Sequence, residues 1–269
     1  MSLSRKYGAN GKTFHVPWSE GTDSTDRKNW DYWTDIQQGC KELVFTEKLD
    51  GQGSCLNEFG VFARSHAAPS DKPWDDYLKV KHAHIVSDLK AEHIELFGES
   101  MYAIHSIEYP RLDEHFKLFA VRQLDRWLSW EEVEEWAFLF DMTTVPVISR
   151  KFVKDLDEDI LKEYVKGTAR KPSAFGSLDV LENLPCSMEG VVFRNVEGYH
   201  VDNFVNNVFK IVRKGHVKTD DRWETNWKRA FLLSEIQAFA DAHNMRLSDD
   251  EDHLEIIRMM RDKRVEKVG

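Results

Sequence analysis

In residues 42–64 short runs of strand-forming residues alternate with turn residues. The run ELVFTE is followed by the turn KLDGQG and then by SCLNEFGVFAR, and the Asp50-Gly51 and Phe59-Gly60 steps are hairpin signals. Further strand-like runs follow as HIELFGES, HFKLFAVRQL, MEGVVFRN and NVFKIVRK. Because helical segments separate these runs, the main domain is predicted to be of the α+β class.

Three helices are predicted between the strands. One begins near Ser70 or Asp71, which would cap it, and has Pro73 in its first turn. A second begins at Ser129, which forms a capping box with Glu132. The residues predicted to face the core from these two helices are Trp74, Leu78, Ile85, Leu89, Val133, Trp136 and Phe140. A third helix is predicted to run through Ile160, Leu161 and Tyr164.

Residues 220–269 differ from the rest of the chain. Large apolar residues recur there at helical spacing, namely Trp223, Trp227, Phe231, Ile236 and Phe239. Ser248 and Glu251 form a second capping box ahead of another apolar stripe. The segment is too short and too poor in strands for an oligonucleotide-binding (OB) barrel. We therefore predict a main domain at residues 1–219 and a helical appendage at residues 220–269.

The formal net charge of -10 counts, at first sight, against a nucleic-acid partner, because phosphate binding depends on lysine and arginine. Net charge describes a local surface poorly, however. The segment VNNVFKIVRKGHVK, residues 205–218, contains Lys210, Arg213, Lys214 and Lys218 and no acidic residue. This basic segment is therefore a candidate phosphate-binding element.

The cysteines and the hydropathy pattern narrow the class of protein further. Cys40, Cys55 and Cys186 are scattered and lack the CxxC spacing of a zinc or redox site, so we expect them to be reduced and structural. The N-terminus has no apolar run like that of a signal peptide, and no stretch is apolar enough to cross a bilayer. A soluble cytoplasmic protein without a membrane partner is the expectation.

Lys48 lies where a strand meets a turn in TEKLDGQG. A lone lysine there could be an ordinary solvated residue, because K-x-D-G is short enough to occur by chance. The segments that follow in order make the pattern specific: Arg64-Ser65, Gly98-Glu99, Phe119 in KLFAV, Glu189-Gly190 in EGVVFRN, and Lys210, Arg213 and Lys214 in FKIVRK. In this order the chain resembles the covalent nucleotidyltransferase superfamily of ligases and capping enzymes.

The resemblance is closer to the RNA ligases related to the Deinococcus enzyme. Their N-terminal motif KYxRTxHLPWSPG is similar to KYGANGKTFHVPWSEG at residues 6–21. Their GENLYARHSIxY is similar to GESMYAIHSIEY at residues 98–109, and their KYVRxGHVxTDxHW to KIVRKGHVKTDDRW at residues 210–223. The resemblance implies two antiparallel sheets flanking a nucleotide cleft, with helices outside.

The resemblance also implies a role for each motif. Lys48 would carry AMP covalently, and Arg64 would contact the ribose or the 5′-phosphate. Glu99 would accept a hydrogen bond from a ribose hydroxyl, and Phe119 would stack on adenine. Glu189 would hold Mg²⁺ or Mn²⁺. Each has a structural alternative, because Phe119 could be core, the two acids could sit at strand ends, and Arg64 could form a surface ion pair.

Cations are expected to activate the nucleophile. A free lysine has a pKa of roughly 10.4 and is protonated at neutral pH. Neighbouring cations and a divalent metal disfavour the charged form, so we expect the pKa of Lys48 to be lowered by Lys210 and Arg213. Many ligases have Lys-x-Lys where this chain has KIVRK, so either Arg213 or Lys214 would supply the second charge beside Lys210. The remaining nucleotide-binding residues expected are Thr46, Glu47 and Asp50.

The function implied by the resemblance is that of an ATP-dependent RNA ligase, with RNA ends or a nicked duplex as partner. Lys48 would form lysyl-AMP, AMP would pass to a 5′-phosphate, and a 3′-hydroxyl would displace it. A DNA ligase and a GTP-using capping-type enzyme remain open alternatives within the superfamily. A non-catalytic nucleotide- or nucleic-acid-binding protein is the alternative from another class. The sequence predicts no particular protein partner.

Overall fold

The computed structural model describes residues 6–8, 11–64, 68–182, 184–215 and 223–266. Its helices are α1 (Tyr32–Gly39), α2 (Asp76–Ala91), α3 (Trp130–Leu139), α4 (Glu158–Ala169), α5 (Leu233–Ala242) and α6 (Asp250–Glu266). Its strands are β1 (Phe14–His15), β2 (Glu42–Lys48), β3 (Gln52–Asn57), β4 (Gly60–Ala63), β5 (Ile94–Ser100), β6 (Ile107–Glu108), β7 (Phe116–Gln123), β8 (Arg126–Trp127), β9 (Thr143–Thr144), β10 (Val147–Phe152), β11 (Leu178–Asp179), β12 (Gly190–Asn195), β13 (Tyr199–His200) and β14 (Val208–Val212).

The smaller sheet has the strand order β1-β14-β12-β2-β10. All its neighbours pair antiparallel except β1 and β14, which are parallel. Side chains alternate between the two faces of a strand, so every second residue of β2, β12 and β14 points outward. These outward residues form a core with α1 and α4 that contains Tyr32, Ile36, Leu43, Phe45, Leu161, Val165, Val191, Phe193, Phe209 and Ile211.

The larger sheet runs in the order β13-β8-β7-β5-β3-β4, and β9 lies parallel to the start of β7. Its outer face packs on α2 and α3, in a core that includes Leu78, Leu89, Leu96, Phe116, Leu118, Trp130 and Val133. Between the sheets lies a third cluster, with Phe97, Trp127, Val208 and partly buried Val192 among its members. The protein therefore has an α+β fold of two mainly antiparallel sheets, and the described residues form no closed barrel.

Most of the predicted elements are confirmed, including the capping box of α3, in which Ser129 Oγ accepts from Glu132 N at 3.3 Å. The Phe59-Gly60 step does form a hairpin between β3 and β4. The prediction of a hairpin at Asp50-Gly51 was wrong, because β2 pairs with β10 and β12 whereas β3 pairs with β4 and β5. The chain crosses there from the smaller sheet to the larger one.

The C-terminal segment is helical only in part. Residues 223–225 form a short 3-10 helix, and the chain is not helical again until α5, so the helical spacing of Trp223, Trp227 and Phe231 misled the prediction. The backbone of this stretch pairs with the main domain instead, as Arg229 does with Ala103. The capping box predicted at Ser248 and Glu251 was also wrong, because α6 begins at Asp250 and Asp249 Oδ1 accepts from Asp252 N at 3.0 Å.

None of the helices in the described residues combines the length and the apolar character that a membrane-spanning helix needs.

Candidate active site

A cleft of about 750 Å³ lies between the two sheets at the end of β2. Small-molecule sites typically have volumes of roughly 300–1,000 Å³, so the cleft is large enough for a nucleotide. The residues predicted from the sequence that line it are Glu47, Lys48, Asp50, Arg64, Glu99, Phe119, Glu189 and Lys210. Both sheets therefore contribute to one cavity.

The order of the strands brings Lys48, Glu189 and Lys210 together. β12 lies between β2 and β14, with Gly190 opposite Lys48 and Val192 opposite Lys210. Residues two apart on a strand share a face, so Lys48 and Lys210 both point into the cleft. A Cβ at position 190 would lie 2.0 Å from the carbonyl oxygen of Ile211, so only glycine permits this close approach beside Glu189.

Lys48 and Glu189 form an ion pair in the cleft. The Nζ atom of Lys48 donates to both carboxylate oxygens of Glu189, at 2.6 and 2.5 Å. The side chain of Glu189 is 8% exposed and that of Lys48 is 24% exposed. The pair is thus shielded from water, but the amine is accessible from the cleft.

In the free protein this ion pair outweighs the cations that were expected, together with a bound metal, to lower the pKa of Lys48. Burial alone would lower it, but the carboxylates of Glu189, Glu99 and Asp50 stabilise the ammonium and together raise the pKa above its usual value. The sequence indicated all three acids as site residues but not that they face the amine of Lys48. In the free protein Lys48 is therefore held as an ammonium ion.

Lys210 is the cation whose pKa is lowered instead. Burial is the main cause and the positive charge of Lys48 adds to it, so the pKa falls to about 8. Asp26 and Glu189 oppose this shift, and Arg64 contributes to it. Lys210 can therefore lose its charge within a pH range accessible to experiment.

Glu99 and Phe119 enter the cleft from the larger sheet. Burial raises the pKa of Glu99 to about 7; Lys48 opposes the shift, and the carboxylates of Glu189 and Asp50 add to it. Its Oε1 atom accepts a hydrogen bond from Gly51 N at 3.2 Å. The pairing of β5 with β7 shifts register at residues 97–98, which leaves Phe119 as an extra residue of β7, and such a bulge redirects a side chain. Phe119 is half-buried and lines the cleft.

Asp50 and Glu47 hold the frame around Lys48. The Oδ2 atom of Asp50 accepts hydrogen bonds from Ser106 N and Ile107 N, both at 2.8 Å. The Oε2 atom of Glu47 accepts from Ala174 N at 3.1 Å. Burial raises the pKa of Glu47, against the lowering effect of its hydrogen bonds. Both carboxylates thus have partners within the protein's own backbone.

Three predicted nucleotide-binding residues do not line the cleft. Thr46 is fully buried, and its hydroxyl donates to Val192 O at 3.3 Å. Arg213 follows the last residue of β14, and its Nε atom donates to Met188 O at 3.1 Å, while Lys214 is exposed. Neither basic residue is therefore beside Lys210 in the cavity, where Arg64 is the nearby predicted cation. Ser65 and most of the GHVKTDDRW motif lie outside the described residues.

Sequence reasoning missed Arg194, which lines the cleft from β12. It is 7% exposed and donates to the carbonyl oxygen of Phe119, so it connects the smaller sheet to the larger one. Strand alternation from Gly190 through Val192 would have placed Arg194 on the cleft face. Tyr7 was also missed; its ring lies 4.9 Å from that of Phe119, at an angle of 63°.

The donor set of the cleft fits a hard divalent cation. Glu189, Asp50 and Glu99 offer carboxylate oxygens, which Mg²⁺ and Mn²⁺ prefer. No group of three or more His, Cys, Asp or Glu side chains in the described residues forms a complete metal site. Mg²⁺ commonly binds through one or two carboxylates, with phosphate oxygens and water as its other ligands.

Solved structures with a similar fold include those of Naegleria gruberi RNA ligase. The structure with PPi has a TM-score of 0.47 and 16% identity over 80% of this chain and 61% of that one. A mutant with ATP and Mn has a TM-score of 0.48 and 16% identity over 79% of this chain and 62% of that one. The chain thus spans about three fifths of the length of the solved structures it matches.

No curated protein sequence matches the chain. The RNA ligase family model, by contrast, matches residues 41–212, which is well over half of the 269 residues. The matched range begins just before β2 and ends at the last residue of β14, so it contains Lys48, Glu189 and Lys210. The chain belongs to the RNA ligase family.

Proposed function

We propose that the protein is an ATP-dependent RNA ligase that carries AMP on Lys48 and joins a 5′-phosphate to a 3′-hydroxyl. One observation carries the proposal: Lys48 contacts Glu189 inside a cleft that also contains Lys210. The family to which the chain belongs supports the same chemistry. The domain division proposed with it assigns adenylylation to residues 1–219 and treats residues 220–269 as an appendage.

In the first step the neutral amine of Lys48 attacks the α-phosphorus of ATP. A bond forms between Nζ and phosphorus, the bond from that phosphorus to the bridging oxygen breaks, pyrophosphate leaves with that electron pair, and the nitrogen releases one proton to solvent. Lys210 and Arg64 face the developing negative charge on the α-phosphoryl oxygens and stabilise it. Phe119 stacks on adenine and Glu99 bonds a ribose hydroxyl, so the base and sugar are held on the larger sheet.

Glu189 has two roles in this proposal. Its carboxylate pairs with Lys48 in the free protein and is also the best-placed ligand for a divalent ion. A bound Mg²⁺ or Mn²⁺ supplies charge neutralisation on the phosphates. A metal ion held by Glu189 would replace Lys48 as the partner of that carboxylate, and burial and Lys210 would then favour loss of a proton from Lys48 to solvent. In the free protein the nucleophile is an ammonium ion paired with Glu189.

The later steps use the same amine as a leaving group. A 5′-phosphate oxygen attacks the phosphorus of lysyl-AMP, the N–P bond breaks, and Lys48 is regenerated. The 3′-hydroxyl then attacks the 5′-phosphate, and AMP leaves with the electron pair of the phosphoanhydride. RNA ends or a nicked duplex are the proposed substrates.

The direct test is adduct formation with ATP labelled at the α-phosphate, in the presence of Mg²⁺ or Mn²⁺. An acid-labile adduct is expected in the wild-type protein and in the control variant Lys41→Ala, whose side chain is 85% exposed just before β2. No adduct is expected in Lys48→Ala. A wild-type protein without adduct, or an equal adduct in Lys48→Ala, would overturn the proposal.

Two further experiments identify the nucleotide that forms the adduct and the kind of strand that is joined. Labelled GTP in place of ATP distinguishes a capping-type enzyme, because the proposal expects the adduct with ATP alone. Nicked duplexes with RNA or with DNA on the 3′-hydroxyl side distinguish an RNA ligase from a DNA ligase. Joining that requires ribose at this end supports the proposal, and equal joining of an all-DNA nick contradicts the assignment to RNA.

A further inference from the structure

The C-terminal segment is packed against the loop that follows Glu99. Three backbone hydrogen bonds connect them, from Ile104 N to Lys228 O (2.9 Å), from Ala230 N to Tyr102 O (2.8 Å) and from Leu233 N to Leu112 O (2.7 Å). The ring of His115 adds a contact from Nε2 to Ala230 O at 3.0 Å. The appendage therefore shares backbone pairing with the main domain and does not only touch its surface.

An ion pair between Arg261 and Glu108 also joins the appendage to the main domain. Arg261 lies on α6 and donates from Nη2 to the carboxylate of Glu108, a residue of β6 whose side chain is 9% exposed. The guanidinium also lies 5.9 Å from the centre of the Phe231 ring. A buried carboxylate needs a partner, so the loss of Arg261 would leave Glu108 with an uncompensated charge.

The residues around the start of β6 bind the turn at Asp50, which follows Lys48. Ser106 N and Ile107 N both donate to Asp50 Oδ2 at 2.8 Å, and Asp50 N donates to the hydroxyl of Tyr109 at 2.9 Å. Asp50 is two residues from Lys48 and is 8% exposed. Residues 106–109 thus hold the turn at Asp50 through three hydrogen bonds, and Glu108 lies within this segment.

We propose that Arg261 is a positioning residue for adenylylation. It anchors Glu108, which fixes β6, whose amides fix Asp50 and hence the direction in which the turn aims Lys48. The inference rests on the proposed function, and it makes the appendage part of the frame of the active site. Arg261 itself touches no reacting atom.

The test uses the full-length variant Arg261→Met, which keeps an apolar stem over Phe231 and removes the charge. Arg258→Met is the matched control, because Arg258 lies on the same helix and is exposed. With saturating ATP and Mg²⁺, we expect the single-turnover rate of adduct formation to fall about tenfold in Arg261→Met and to stay unchanged in Arg258→Met. The ATP concentration for half-saturation should change little, because Phe119 and Glu99 lie on other strands.

Hydrogen exchange distinguishes a local role of Arg261 from a loss of overall stability, because only a local role changes the exchange of selected amides. The amides of Ser106 and Ile107 should exchange faster in Arg261→Met, while amides in α4 should not. Glu108→Gln should reproduce the loss of rate, and the double variant should be no slower than the slower single variant, because both changes break one connection. Arg261→Lys should recover most of the rate, and it carries the test if Arg261→Met does not fold.

The outcomes separate this inference from the proposed function. No adduct in the wild-type protein would remove the proposed function itself. A normal rate in folded Arg261→Met, an equal fall in Arg258→Met, or additive losses in the double variant would overturn the positioning role alone. A fall in rate with unchanged exchange at residues 106–107 would also overturn it, since the effect would then not pass through β6.

Discussion

The substitution Glu189→Gln should separate the reactivity of Lys48 from catalysis. Glutamine keeps the shape of the side chain and removes the charge that now holds the ammonium of Lys48 from two oxygens within 2.6 Å. A hydrogen bond to a charged group contributes about 1.5–3 kcal/mol, and about 1.4 kcal/mol corresponds to a tenfold change. With Glu189 neutral, burial disfavours the ammonium, so the neutral fraction of Lys48 should rise on the order of 10- to 100-fold.

Two assays should then move in opposite directions. Labelling of Lys48 near pH 7 by a small amine-reactive reagent, measured by peptide mass spectrometry, should increase at least about tenfold, with exposed Lys41 as the internal reference. Adduct formation with ATP and Mg²⁺ should fall by about two orders of magnitude or more, because the proposed metal ligand is lost. Unchanged or slower labelling of Lys48 would refute the idea that Glu189 stores the nucleophile in its charged form.

Three further predictions follow from individual residues of the cleft. Because the pKa of Lys210 is about 8 and that of Lys48 lies above its usual value, kcat/KM for adduct formation should rise with pH below about 8, as Lys48 loses its proton, and level off above it, as Lys210 loses its charge. Lys210→Arg should extend the rise to higher pH, and a profile that levels off at the same pH in this variant would assign the break to another group. Because the pKa of Glu99 is raised to about 7, its contribution to stability is present below its ordinary value near 4.5 and lost as pH rises through about 7. Glu99→Gln should therefore gain Tm relative to wild type between about pH 5 and about pH 8, and a constant difference would contradict this sign. Phe119→Ala should raise KM for ATP about fivefold or more, since a stacked base loses about 1–3 kcal/mol, and an unchanged KM would make Phe119 plain core.

The sequence predicted the ends of the strands well, and much of the candidate site lies at those ends. Lys48 ends β2, Glu189 precedes β12, and Lys210 lies in β14. Local patterns identify such segments because alternation and turn residues act over a few positions. The order β14-β12-β2 is a long-range property, and no local pattern encodes it. The resemblance to known ligases, and not hydrophobic periodicity, indicated that Lys48, Glu189 and Lys210 share one site.

Two of the errors share one physical cause, which is pairing between residues distant in sequence. The Asp50-Gly51 turn has the composition of a hairpin, yet Asp50 bonds the amides of Ser106 and Ile107, and the chain crosses to the other sheet. Residues 226–232 have helical spacing, but Ala230 N donates to Tyr102 O. In both places a partner far along the chain competes with the local preference and determines the structure.

The cations near Lys48 do not lower its pKa in the free protein, for a related reason. A list of motifs counts Lys48, Lys210 and Arg64 as cations but does not show that Glu189, Glu99 and Asp50 also face Lys48. With the acids present, the ammonium of Lys48 is stabilised, and burial lowers the pKa of Lys210 instead. A bound triphosphate would raise the pKa of Lys210 again, because its negative charge favours the protonated form. The same negative charge also favours the ammonium form of Lys48, so a neutral nucleophile requires that another cation replace Lys48 as the partner of Glu189.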